Sequence, residues 1–246
     1  MSAESLPALP APPLSLLLKE GRVPLERLRF HLKVDGLLEA LPRGDGHPVL
    51  VIPGFGASDR TVSPLVRALR RLGYDAQSWG LGRNLGLRGS LRERLRARLD
   101  ALHAGGGAVS LVGWSLGGVF ARELARAQPE KVRRVFTLGS PFNGRPEANN
   151  LHTIFQWVNR GSRRPADLEG FLRRRVTPPV PCTAIHTRED GIVAWRCSLE
   201  PEGRWGENLE VRGSHLGLIC NLEVLQLIAE RLAQPSSAAA TASGSA

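Results

Sequence analysis

In Gly113-Trp114-Ser115-Leu116-Gly117 a serine stands with a glycine two positions away on either side, and its type and setting suit a nucleophile. A serine hydroxyl attacks a carbonyl only when a neighbouring base takes its proton, so the pentapeptide alone says little. Its surroundings say more. Val109–Val112 reads as a strand running into Ser115, and Leu116, Val119, Phe120 and Leu124 predict a helix over Leu116–Ala127 directly after it. A serine on so abrupt a strand-to-helix turn presents its hydroxyl at the sheet edge. The flanking glycines leave room for strained backbone and close strand–helix packing.

A base for Ser115, and an acid to hold that base in one tautomer, must come from elsewhere in the chain. Downstream acids include Asp190, its neighbour Glu189, and Asp167. Asp190 lies just beyond the strand-like run Cys182–His186 and precedes Gly191, a pair suited to a tight turn that presents a carboxylate. Among the histidines, His215 follows the strand-like Leu209–Val211 and precedes the last helix, His186 lies in or at the end of a strand, and His152 falls in a long connection. The developing oxyanion needs two backbone N–H donors. Leu116, next after the serine, supplies one. Phe55, in the glycine-rich loop Pro53–Ser58 after the strand Val49–Ile52, supplies the other.

The elements that carry these residues alternate. Strand signals at Val49–Ile52, Tyr74–Trp79, Val109–Val112, Val132–Leu138, Cys182–His186 and Leu209–Val211 are separated by helical patterns. Ser63-Pro64 reads as a helix start for the Leu65, Leu69, Leu72 stripe, closed by Gly73, and Ser90 as the cap of a helix carrying Leu91, Leu95, Leu99 and Leu102. Leu222–Leu232 closes the series. Such alternation predicts an α/β fold, a mainly parallel sheet with helices on both faces. Residues 1–46 read as an arm with one or two short helices broken near Pro24, 47–233 as the main domain, and 234–246 as a disordered Ser/Ala-rich tail. Residues 141–180 are too long for an ordinary connection and are expected to form a lid-like insertion, with a helix marked by Leu151, Ile154, Phe155 and Val158.

Composition narrows the function classes. The net charge is +10, carried almost entirely by Arg, and the basic residues are dispersed over helix faces without a nucleic-acid-binding signature. No nucleic-acid partner is expected; an anionic membrane surface is the partner such a charge favours, through weak association. No apolar run reaches the roughly 18–20 residues of a membrane span. The opening Met1–Pro7 lacks the pattern of a secretory signal, so a cytoplasmic location is expected. Three unevenly spaced cysteines fit neither a disulfide framework nor a zinc site, and no metal or cofactor is expected. Gly80–Gly86 has one residue too many for a dinucleotide-binding G-x-G-x-x-G. A loop beside Ser115 suits it better, with Arg83 and Asn84, and Trp114 beside the serine, expected to contact substrate.

His47-Pro-Val-Leu-Val-Ile-Pro-Gly-Phe-Gly56, Gly113-Trp-Ser-Leu-Gly-Gly118, Gly139-Ser-Pro-Phe142, Asp190-Gly-Ile-Val193 and His215-Leu-Gly217, taken in order, resemble the α/β-hydrolase superfamily, particularly its bacterial lipase- and esterase-like members. The chain order of that fold, nucleophile then acid then base, gives the roles to Ser115, Asp190 and His215; His186 precedes the acid and is out of order. Many such enzymes have His-Gly at the oxyanion loop where this chain has Pro53-Gly54. The resemblance implies hydrolysis of carboxylic esters without naming the ester; a small-molecule ester substrate is expected, and the apolar helix of the expected lid over residues 141–180 points to lipid-like acyl chains. Acyl transfer on the same triad, and a non-catalytic binding protein on the same scaffold, are the competing readings.

Overall fold

Val49 and Val51 pack into one hydrophobic core while Leu50 and Ile52 pack into another, the period-two alternation of a strand covered on both faces. The computed structural model describes residues 9–86, 90–143 and 175–235. Within them, strands β1 (Pro48–Ile52), β2 (Asp75–Ser78), β3 (Val109–Trp114), β4 (Val132–Leu138), β5 (Cys182–His186) and β6 (Gly206–Glu210) form one sheet in the order β2-β1-β3-β4-β5-β6. Every pairing is parallel. The chain steps outward from β1 to β2, then returns past β1 to build β3 to β6 in the other direction. The loops after β1 and β3 therefore diverge to opposite sides and open a crevice at their carboxyl ends, where ligands bind in open α/β sheets.

The helices are α1 (Leu14–Lys19), α2 (Val23–Ala40), α3 (Asp59–Leu72), α4 (Leu91–Gly106), α5 (Leu116–Ala127) and α6 (Leu222–Leu232). Phe30 of α2, Leu65 and Leu69 of α3 and Ile228 of α6 cover one face of the sheet with Val112 and Phe136. Leu95 and Leu99 of α4 and Phe120 and Leu124 of α5 cover the other. Helix α2, ahead of residue 47, is part of this packing. Phe30, Val34 and Leu38 of α2 recur every four residues and are buried in the first core.

Two element boundaries differ from the sequence expectation for identifiable reasons. Helix α3 begins at Asp59, where Ser58 and Thr61 form a capping box, so Pro64 lies inside the helix. The hydrogen bond Pro64 cannot donate would have gone to the Arg60 carbonyl; the Ser63 hydroxyl donates to that oxygen at 2.9 Å. Ser63 thus fills a helical vacancy and does not cap. The break between α1 and α2 is a 3₁₀ turn at Glu20–Arg22, and Pro24 stands in the first turn of α2, where no N–H is required. The predicted lid helix, His152 and Asp167 lie outside the described residues. The three cysteines are buried and unpaired.

Candidate active site

Ser115 is the one non-glycine residue with positive φ among the described residues, at φ 53° and ψ −122°. Such a backbone costs energy and persists only where its surroundings dictate it. Here the Ser115 N–H donates to the Leu138 carbonyl of β4 at 2.8 Å, and the Gly118 N–H donates to the Ser115 carbonyl at 3.0 Å. The adjoining glycines are required by close approach. A Cβ on Gly117 would lie 2.2 Å from the Ile52 carbonyl oxygen, and one on Gly113 would lie 2.3 Å from the Gly118 Cα. The turn between β3 and α5 is therefore packed so tightly that no larger residue fits at either position.

Asp190 and His215 come from the loops after β5 and β6 and meet in the protein interior. The Asp190 Oδ2 lies 2.7 Å from the His215 Nδ1, with both side chains about 1% exposed. Asp190 Oδ1 is held separately, accepting the N–H groups of Ile192 at 2.8 Å and Val193 at 2.7 Å. The carboxylate thus has one oxygen fixed by its own turn and one left for the imidazole. Burial alone would push the His215 imidazolium pKa down. The Asp190 carboxylate, with a smaller contribution from Glu20, outweighs that and holds it above the ordinary value. Gly139, at φ 55° after β4, is where the chain passes the pair: a Cβ there would sit 2.9 Å from the His215 Nδ1 and 3.1 Å from the Asp190 Oδ2.

The other candidates are engaged elsewhere. Glu189 takes a hydrogen bond from Arg22, which holds its carboxyl below the usual carboxylate range. His186 stacks on Trp195, ring centroids 5.5 Å apart, and its burial lowers its pKa.

The expected substrate contacts need correction. Asn84 is fully buried and clamps the loop after β1. Its side-chain amide donates to the Pro53 carbonyl at 2.7 Å, its backbone carbonyl accepts from Gly56 at 2.7 Å, and its N–H donates to Ala57 at 2.8 Å. Asn84 therefore shapes the backbone on both sides of Phe55 and is not at the substrate surface. Trp114 is also buried, its indole N–H donating to the His215 carbonyl at 3.1 Å, so it supports the histidine loop from beneath. Arg83 is exposed. Phe55 and Leu116 are both half-buried, on the loop after β1 and at the start of α5.

The sequence reading missed the residues that brace the pair from the amino-terminal segment. Glu20, buried in the 3₁₀ turn, accepts three backbone N–H groups: Gly191 and His215 on Oε1 and Leu216 on Oε2, each at 2.9 Å. One carboxylate thus joins the acid loop to the base loop. Glu26 accepts the Ser214 N–H at 2.9 Å and also its hydroxyl, while Arg22 pairs with both Glu26 and Glu189. A Cβ on Gly191 would lie 2.4 Å from the Leu16 carbonyl oxygen, so α1 rests directly against the acid loop. A lone Glu in an apolar helical stretch carries no local mark of this role.

A second Asp–His–Ser chain occurs at the opposite end of the sheet. His47 Nδ1 bonds Asp45, and His47 Nε2 lies 2.9 Å from the Ser110 Oγ. Ser110 is fully enclosed in the middle of the sheet, paired with β1 on one side and β4 on the other, so no substrate reaches it. Burial holds His47 below its ordinary pKa, and the group is a structural tie between the start of β1 and β3. Connectivity among three side chains therefore does not make a site; the strained turn and the crevice distinguish Ser115.

Comparison with known proteins agrees with this architecture. Residues 24–234 match the model of the alpha/beta hydrolase family. The match begins at Pro24, so it includes the helix α2 that completes the first core. The chain is 31% identical over 178 residues to the polyketide synthase ThaQ of Burkholderia thailandensis; this stretch covers 69% of the chain and 8% of that much longer protein. Among solved structures, it resembles the monoacylglycerol lipase of Paleococcus ferrophilus, with 15% identity, a TM-score of 0.53 and coverage of 78% of this chain and 96% of that one. A thioesterase domain from the curacin biosynthetic pathway is similar at 14% identity and a TM-score of 0.51, over 79% and 93% of the respective chains. At these identities the structural likenesses speak to the fold.

Proposed function

This chain belongs to the alpha/beta hydrolase family, and from that membership we propose that it is a serine hydrolase cleaving carboxylic esters through Ser115, His215 and Asp190. The observation that carries the reading is the buried 2.7 Å contact between Asp190 and the His215 Nδ1, made on loops at the same end of the sheet as the strained Ser115 turn. With Nδ1 engaged by the acid, Nε2 is the nitrogen left to take the Ser115 proton. Ser115 Oγ attacks the ester carbonyl and the Phe55 and Leu116 N–H groups receive the oxyanion. The protonated His215 then returns its proton to the departing alcohol. Water, activated by the same histidine, releases the acyl group from the serine. Leu216 is exposed next to His215, which supports apolar acyl groups as substrates. Hydrolysis of p-nitrophenyl esters of increasing chain length tests the reading: turnover by the wild type and its loss in Ser115→Ala are expected.

Acyl transfer to an alcohol other than water is the second reading, favoured by the identity shared with a stretch of a polyketide synthase. Product analysis with a competing alcohol separates the two, since only transfer yields a new ester.

A further inference from the structure

Five leucines on the amino-terminal helices point into solvent. Leu14, Leu18, Leu25, Leu28 and Leu32 are between 55% and 74% exposed. A single exposed leucine needs no explanation, but five within nineteen residues form a patch. In α1, Leu14 and Leu18 are one turn apart. In α2, Leu25, Leu28 and Leu32 share one face, while Phe30, Val34 and Leu38 fill the core from another. Helix α2 is therefore apolar on two faces, and the fold uses only one of them.

Within residues 14–33 the exposed charges have one sign. Lys19, Arg29 and Lys33 are exposed beside the leucines, with His31 near them, while Arg27 is exposed on the other side of α2, where it reaches Cys220. The two acids of the same stretch are turned inward: Glu20 is spent on the triad loops and Glu26 on Ser214 and Arg22. No exposed carboxylate lies between residues 14 and 33. Asp35, 70% exposed and paired with Arg71, and the exposed Glu39 bound the leucine face at the carboxyl end of α2. Arg29 and Lys33 also border a groove of about 860 Å³ between α2 and the start of α6, where Arg22 and Arg212 stand with Glu26, Glu189 and Glu223, so the groove itself is of mixed charge.

We propose that this leucine-and-cation face of α1 and α2 docks the protein on an anionic lipid surface. Leucines spaced along short helices, with Lys and Arg between them, can sit at the headgroup boundary while the cations reach lipid phosphates. A second copy of the chain suits the face poorly, because a two-fold interface would set the same cations against one another. The docked segment is hydrogen-bonded through Glu20 to both the acid and base loops, so it and the triad loops form one unit.

Flotation of the full chain with phosphatidylcholine vesicles, with and without phosphatidylglycerol, tests this independently of any catalytic activity. The wild type is expected to bind the anionic vesicles at least tenfold more tightly than the neutral ones, with the difference falling at high salt. Leu25→Ser, Leu28→Ser and Leu32→Ser combined should abolish binding. Arg29→Ser with Lys33→Ser should weaken it about 25-fold, near fivefold per cation. Circular dichroism establishes that both variants remain folded. Absence of wild-type binding, equal affinity for neutral vesicles, or wild-type binding by the leucine variant would overturn the proposal. So would a wild-type dimer that the leucine variant dissociates, which would assign the face to a second copy.

Discussion

The Glu20 carboxylate accepts the backbone N–H of His215 at 2.9 Å and, through the same oxygen, that of Gly191 beside Asp190. The geometry of the acid–base pair therefore depends on a residue almost two hundred positions earlier in the chain. Because Glu20 touches backbone and not the reacting groups, its role is positioning and electrostatic: it holds two loops and adds negative charge behind the imidazole.

Glu20→Gln separates these effects. The amide keeps one acceptor oxygen but sets an NH₂ against a backbone donor and removes the charge. A loss of about 1–3 kcal/mol in stability is expected from the broken buried contact, with kcat/KM lowered about tenfold. The acid limb of the pH–rate profile should move to lower pH, since the imidazolium loses a stabilising neighbour. An unmoved limb with a lowered melting temperature would reduce Glu20 to a purely structural role.

The raised His215 pKa fixes the direction of two pH dependences. Ester hydrolysis needs the neutral imidazole, so kcat/KM should fall with decreasing pH with its midpoint above the ordinary imidazole value of about 6.5. Stability should show the opposite trend. The imidazolium–Asp190 contribution is fully present below the unfolded pKa and is lost as pH rises through the higher folded one. Thermal melts across this window, compared with Asp190→Asn, should show the excess stability at low pH only in the wild type.

Asn84→Ala removes the amide that holds Pro53 and leaves that buried carbonyl without its donor. The expected result is a fall in kcat of about 10–100-fold, on the scale of losing oxyanion stabilisation, with KM changed far less. A large rise in KM at constant kcat would instead return Asn84 to substrate binding.

Arg122 and Glu200 form a buried ion pair linking α5, the helix that starts behind Ser115, to the chain after β5; Glu200 also accepts the Thr177 hydroxyl at 2.9 Å. Burial brings Arg122 down to about 10, still charged at neutral pH. Glu200→Ala strands that charge and should cost about 3–5 kcal/mol in chemical denaturation.

Much of this was legible in the chain. Val49–Ile52, Val132–Leu138 and Cys182–His186 read as strands because buried parallel strands are short, apolar and bounded by turn residues. Ser115 and Asp190 stood out because each follows such a strand, and His215 because it follows the Leu209–Val211 run, although β6 spans Gly206–Glu210 and is polar and half-exposed. Asn84 was legible as a loop residue but not as a clamp, because its partners Pro53, Gly56 and Ala57 are some thirty residues away. Glu20 and Glu26 were invisible for the same reason: Glu20 accepts backbone N–H groups and Glu26 accepts from Ser214, all nearly two hundred residues away, which no side-chain pattern announces. Pro64 misled because proline usually opens a helix, and the Ser63 hydroxyl that lets it stand inside one lacks a sequence signature.

The central claim, that Ser115 is the activated nucleophile, is tested most directly by labelling the intact protein with a fluorophosphonate and locating the adduct by peptide mass spectrometry. The account predicts a single adduct on Ser115, absent from Ser115→Ala. No adduct, or one on Ser110 of the Asp45–His47 chain, would contradict it.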